Sequence, residues 1–254
     1  MTFYNDFKVA IAFLTRVKIT HSDNVNIGRS AAWFPIVGAL IGVAGASVLW
    51  ISRYFLPAPA ATAFTLIFLV LVCGGFHQDG LADIFDGLVG GWNIEQRLLI
   101  LKDSRHGTYG VLAIVLQLLL QFTCLVSMPV RGAMISIVLT QSLARVIPLY
   151  WMKAKPVKGH EGMGAEASKN FTYSNLIAPT LFVSLLGYGL VGAWIIYIVI
   201  ILIIGNFIFL RFVTARIGGV LGDAFGAAEQ ISESLIYLLI SALVYKSQGP
   251  LWIM

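Results

Sequence analysis

Apolar runs of bilayer length follow one another along nearly the whole chain, and no other property limits its fold so tightly. A helix rises about 1.5 Å per residue, so about 20 apolar residues cross a hydrocarbon core of roughly 30 Å. Seven segments meet this test, near residues 31–52, 59–77, 109–128, 132–152, 174–191, 193–212 and 230–247. The fifth and sixth share one run from Leu176 to Leu210, and Gly187, Gly189 and Gly192 mark where it divides. Only 11% of the residues are charged, against roughly 25% in a soluble domain. The expected fold is an all-α polytopic integral membrane protein, one membrane-embedded domain over residues 1–254 with about seven transmembrane helices. Phe7 to Ile19 is too short to span and carries Lys8, Arg16 and Lys18, so an N-terminal interfacial or re-entrant helix is expected there.

Basic residues set the expected sidedness. The side that receives the N-terminus and the loops after spans two, four and six holds thirteen lysines and arginines. The other side holds Arg53, Arg131 and Lys246, and Arg145 falls within span four. The positive-inside rule makes the first side cytoplasmic and places the C-terminus outside. The net charge of +5 is therefore read as a topology signal, not as a nucleic-acid footprint. All twelve acids also fall on the cytoplasmic side, which the rule does not require. One working polar face explains it, with spans nearly free of acid. Met1 to Lys8 lacks a signal-peptide pattern and is expected to be retained. Cys73 and Cys124 lie in apolar runs at no metal-binding spacing, as buried small residues would.

Three of the seven aspartates, Asp79, Asp83 and Asp86, fall within eight residues directly after the run Ala60 to Phe76. If that run continues as a helix, their i, i+4, i+7 spacing puts them on one face. Carboxylates so placed repel one another, and a hard divalent cation with oxygen ligands offsets the repulsion. A magnesium site at a membrane surface suggests chemistry on a phosphate. The alternative is a solvated acidic loop, which needs neither helical spacing nor attachment flush to a span. His77 is a candidate base or a partner to the ligands, set against an ordinary interfacial histidine.

Three further groups stand out. Lys102-Asp103-Ser104-Arg105-His106-Gly107-Thr108-Tyr109-Gly110 precedes span three. Backbone N–H groups at a helix start together with Arg105 suit a diphosphate, while the plainer reading makes Thr108 an N-cap and Arg105 a topology anchor. Gly222-Asp223 with Gly226, Glu229 and Glu233 reads equally as a second metal or acceptor element, or as a glycine-rich turn into span seven with dipole-favoured acids. Arg145 costs roughly 2.5–3.5 kcal/mol at mid-span, so it either snorkels or pairs with an aspartate or a phosphate. Glu161 lies in the polar loop His160 to Gly164. No nucleotide-binding P-loop, strand-borne glycine pattern or HExxH occurs.

In order along the chain, these motifs resemble the cobalamin synthase family, adenosylcobinamide-GDP ribazoletransferase. Phe13-Leu14-Thr15-Arg16, Phe34-Pro35-Ile36-Val37-Gly38 with Gly42, and Gly75 to Asp83 with Asp86-Gly87 carry the first half. Lys102 to Arg105 with Gly107-Thr108, Glu161-Gly162-Met163-Gly164, and Gly219, Gly222-Asp223, Gly226-Ala227 carry the rest. Lys18 and Leu221 depart from the usual pattern; Leu221 removes a usual threonine before Gly222-Asp223 and leaves Asp223 in place.

The resemblance implies transfer of adenosylcobinamide-phosphate from adenosylcobinamide-GDP to α-ribazole or its 5′-phosphate, with release of GMP and with Mg²⁺ as cofactor. It also implies a multi-pass protein of the cytoplasmic (inner) membrane of a prokaryote, with contacts to its own copies or to pathway enzymes left open. On it, Asp79, Asp83 and Asp86 are the expected metal ligands and catalytic carboxylates, with Asp223 a further ligand, and His77 and Asp103 are proton-acceptor candidates. Ser104, Arg105, Gly107, Thr108, Arg145, Glu161, Gly222 and Asp223 are expected around the substrate phosphates.

Two rival readings share parts of this pattern. A CDP-alcohol phosphotransferase shares the start of its pattern with Asp83-Ile84-Phe85-Asp86-Gly87, but Val89-Gly90 replaces its next pair and its later aspartates are absent. A cation-coupled transporter usually carries polar groups near mid-membrane and often repeats, whereas here the acids cluster at one face, the spans are nearly acid-free and no convincing repeat occurs.

Overall fold

A computed structural model describes residues 2–21, 25–103, 105–158 and 171–247. The expected all-α architecture is present, and no strand occurs among the described residues beyond an isolated bridge between Pro156 and Val220. The first helix, α1, is Thr2–Leu14. A short helix Ile27–Ser30, capped by the Asn26 side chain, leads through a 3-10 turn into α2, Phe34–Ser52. The remaining long helices are α3 Ala58–Cys73, α4 Phe76–Gly90, α5 Thr108–Val126, α6 Val130–Leu143, α7 Ile177–Val191, α8 Trp194–Ile217 and α9 Gly222–Ser247. Among the described residues, six helices are long and apolar enough to cross a membrane, and the bent pair α3–α4 makes a seventh unit.

The spans meet through small residues, as lipid-embedded helices do when close van der Waals packing supplies the attraction. In α2, Gly38 faces the Gln141 carbonyl and the Arg145 stem, and a Cβ at Gly42 would lie 2.7 Å from Val138 Cα. Rising numbers on α2 thus meet falling numbers on α6, so the two run antiparallel. Gly192, at φ +60°, divides the long fifth-to-sixth run as expected. A second cluster sits at the end bearing α4. There Leu81, Ile84 and Leu88 bury against Val213 and Ile217 of α8 and Ala224 and Ala227 of α9.

Two boundaries differ from expectation, and both shape the site. The second apolar run does not continue straight into the aspartates. Gly74 and Gly75 both take left-handed conformations, φ +68° and +71°, and the chain turns by 89° between α3 and α4. Only glycine enters that region at no steric cost. Arg16 stabilises the turn: its backbone N–H donates to the Val72 carbonyl at 2.8 Å, and its side chain fills the space beside Gly74. Span seven begins at Gly222 rather than near residue 230. Asp223, Glu229 and Glu233 therefore belong to α9, and the expectation of nearly acid-free spans does not hold.

Candidate active site

The bend turns α4 across the end of the bundle and sorts its polar residues onto opposite faces. Helical geometry keeps Asp79, Asp83 and Asp86 on one stripe and puts His77 about half a turn round from Asp86. Asp79 is exposed and Asp83 half-buried, whereas His77 and Asp86 are buried. His106, from the loop before α5, reaches over the stripe. Its Nε2 lies 3.3 Å from Asp79 Oδ1 and its Nδ1 3.4 Å from Asp83 Oδ1. Among the described residues, the ligand atoms of Asp79, Asp83 and His106 form a group that lies within 4.8 Å of one another. Burial pushes the Asp83 carboxyl up to about 6; the Asp79 and Asp223 carboxylates add to this, and His106 opposes it. Such a cluster favours an added positive charge.

Asp86 has a different job. Gly107 N–H donates to its Oδ2 at 2.6 Å and Gly110 N–H to its Oδ1 at 2.8 Å. The carboxylate thus caps the start of α5 from another helix, where the helix dipole favours negative charge. Thr108 is the first residue of α5 and Gly107, in extended conformation, is its N-cap. The Gly107 N–H expected to hold a phosphate is therefore already donated to Asp86. Both glycines are required by closeness, since a Cβ at either would strike the Asp86 carboxylate.

Asp103 and Arg105 form an exposed bidentate pair, Nη2 to Oδ2 at 2.7 Å and Nε to Oδ1 at 3.0 Å. The guanidinium holds the Asp103 carboxyl down at about 2, which makes it a poor proton acceptor at neutral pH. Gly222 begins α9, and Asp223 packs its backbone on Gly80 of α4. Its charge reaches Asp83, yet it lies outside the three-residue ligand group. Ser104 and Glu161 lie outside the described residues.

The remaining polar residues meet inside the bundle. His77 Nε2 lies 2.9 Å from Glu229 Oε2, so His77 faces the interior and not the stripe. Arg145 is 2% exposed and lies 3.4 Å from Glu229 and 3.9 Å from Glu233. Its partners are thus glutamates of α9 rather than an aspartate or an exposed phosphate position. Gln121 and Gln141 donate to Glu233 at 3.2 and 2.8 Å. Gln78 and Gln117 donate to Gln230 Oε1 at 3.2 and 2.7 Å. Cys73 and Cys124 are free and buried, as read from the sequence.

A family model described as cobalamin-5-phosphate synthase matches residues 6–241, which include every described residue of both polar clusters. The chain belongs to the cobalamin-5-phosphate synthase family. Adenosylcobinamide-GDP ribazoletransferase of Shewanella halifaxensis is 35% identical over 94% of this chain and 95% of its own. Proteins of the same name from Shewanella frigidimarina and Shewanella baltica are 35% and 32% identical over 94% and 92% of this chain, and 95% and 92% of theirs. No solved structure matches.

Membership in the cobalamin-5-phosphate synthase family makes this chain a transferase of cobalamin biosynthesis and leaves the phospholipid and transporter readings without support. It decides against the transporter on firmer ground than the distribution of acids, because Glu229 and Glu233 do lie within a span. Sequence reasoning assigned no role to His106, although it stands inside the motif Lys102 to Gly110. Its sequence signal was a histidine just before an expected helix start, inside a motif already read as a phosphate element.

Proposed function

We propose that this chain transfers the adenosylcobinamide-phosphate group from adenosylcobinamide-GDP to a ribose hydroxyl of α-ribazole or its 5′-phosphate, releasing GMP, with Mg²⁺ as cofactor. The observation that carries the reading is the convergence of Asp79, Asp83 and His106 at the mouth of a membrane bundle of this family. The donor set fits a hard divalent ion, since two carboxylates crowd together and offer it oxygen ligands. Asp79 and Asp83 hold the ion. When bound, it supplies neutralising charge to diphosphate oxygens.

The protein's own groups do the rest. Arg105 exchanges Asp103 for a substrate phosphate, a swap its exposed position permits. The ribose oxygen bonds to the phosphorus next to the corrinoid arm, the bond from that phosphorus to the GMP oxygen breaks, and His106 accepts the hydroxyl proton. His77 does not serve as this acceptor, because it points into the bundle. Asp86 holds the start of α5, and with it the His106 loop, against α4. The membrane face bearing this site is the cytoplasmic one on the basic-residue count, and the membrane is the inner membrane of a prokaryote.

The test mixes purified protein with adenosylcobinamide-GDP, α-ribazole and Mg²⁺ and follows GMP. GMP appears one for one with joined product, and a chelator stops it. Because Asp83 must be ionised to bind the cation and its carboxyl titrates near 6, apparent Mg²⁺ affinity falls as pH drops through that value. GMP release without α-ribazole, or at an undiminished rate in chelator, contradicts the proposal.

A further inference from the structure

The acidic helix α4 hangs on two consecutive glycines, each free to take many conformations, so something else must fix its direction. The buried cluster beneath it is built for that. Arg145, just past the end of α6, donates from Nη1 to the Gln141 carbonyl of that helix. Its Nη2 lies 3.5 Å from Cys73 Sγ, the last residue of α3 before the bend, and 3.4 Å from Glu229 Oε1. Glu229 in turn reaches His77, in the first turn of α4. One guanidinium therefore links spans four and seven to both sides of the glycine hinge. The adjoining cavity, of about 10 Å³, is lined by Cys73, His77, Gln121, Gln141, Arg145 and Glu233. It has room for about one water and not for a diphosphate.

We infer that Arg145 is a positioning residue: by neutralising Glu229 and Glu233 inside the bundle it sets the direction of the acidic helix, and it does not bind substrate. The inference rests on the reading of α4 as the helix that bears the reaction site. Its physical core is charge balance. A buried carboxylate pair without its arginine is an uncompensated charge, which costs far more than the net worth of the intact cluster. Removing one carboxylate together with the arginine restores the balance, since Glu229 keeps His77 as a partner.

The experiment is a substitution cycle on the full-length protein purified in detergent, read by melting temperature and by steady-state GMP release. Arg145→Gln lowers the melting temperature on the order of 10 °C. It lowers kcat by about tenfold or more, with KM for adenosylcobinamide-GDP within about twofold of native. Adding Glu233→Gln to Arg145→Gln recovers most of both losses, and Arg145→Lys, which keeps the charge, loses less than Arg145→Gln. A double variant no better than Arg145→Gln overturns the inference. So does an Arg145→Gln protein of native melting temperature whose KM for adenosylcobinamide-GDP rises about tenfold. If the native protein releases no GMP, the proposed reaction fails, and the melting temperatures alone still decide whether Arg145 balances Glu229 and Glu233.

Discussion

Replacing Asp83 with asparagine lowers GMP release by about a thousandfold or more, the size expected when several kcal/mol of charge stabilisation is lost from a phosphoryl-transfer site. The same substitution leaves the protein at least as stable as the native chain. Asp83 is held in a half-buried position against Asp79 and Asp223, and its carboxyl is raised from the ordinary value to about 6. A folded-state value above the unfolded one means that ionisation opposes folding. That penalty is absent at low pH and grows as pH rises from the unfolded value through 6. Asparagine keeps the shape and removes the charge. Melting temperature measured without metal at neutral pH is thus unchanged or higher, while single-turnover GMP release collapses. An Asp83→Asn protein with native turnover and native Mg²⁺ dependence would remove the carboxylate from the reaction.

Asp86→Asn separates two roles that the stripe makes look alike. Both Asp86 oxygens accept backbone N–H groups, from Gly107 and Gly110. An asparagine offers one oxygen and turns an amide N–H₂ toward the other donor. One buried N–H then loses its acceptor, at about 1–3 kcal/mol, and the helix start loses a favourable charge worth about 0.3–1 kcal/mol. The melting temperature falls on the order of 5 °C. Activity falls as well, because the loop bearing His106 loses its anchor. Cation binding persists, since Asp79 and Asp83 are untouched. Asp86→Asn protein of native stability that no longer binds the cation would make Asp86 a ligand instead of a cap.

The contrast between Asp83 and Asp86 also shows where sequence reading stops. Spacing places both on one face of a helix, and the structure keeps them there. Which neighbour that face meets depends on the chain between α4 and α5, which includes the short helix Ile94–Ile100 and ends with the start of α5 on Asp86. Nothing local to α4 announces that contact, or the arrival of His106 above Asp79. The seven apolar units were readable because each carries its own hydrophobic signal over a bilayer-length window. The bend at Gly74 and Gly75 was not, since hydropathy runs smoothly through it and only backbone conformation reveals it.

Span seven starts earlier than its hydropathy indicates for a related reason. Asp223, Glu229 and Glu233 count against a membrane helix when taken alone. Glu229 and Glu233 become tolerable in α9 because residues far away in the chain meet them: Arg145, His77, Gln121 and Gln141. A hydropathy window sums one segment, whereas burial of a charge is decided by its partners.

Binding of Mn²⁺, followed by loss of its free-ion EPR signal on titration into the purified protein, tests the cation site without recourse to the reaction. The native chain and Asp86→Asn take up the ion with similar affinity, and Asp79→Asn/Asp83→Asn takes up none in the same range. Equal uptake by all three proteins, or loss of uptake in Asp86→Asn alone, contradicts a cation held by Asp79 and Asp83.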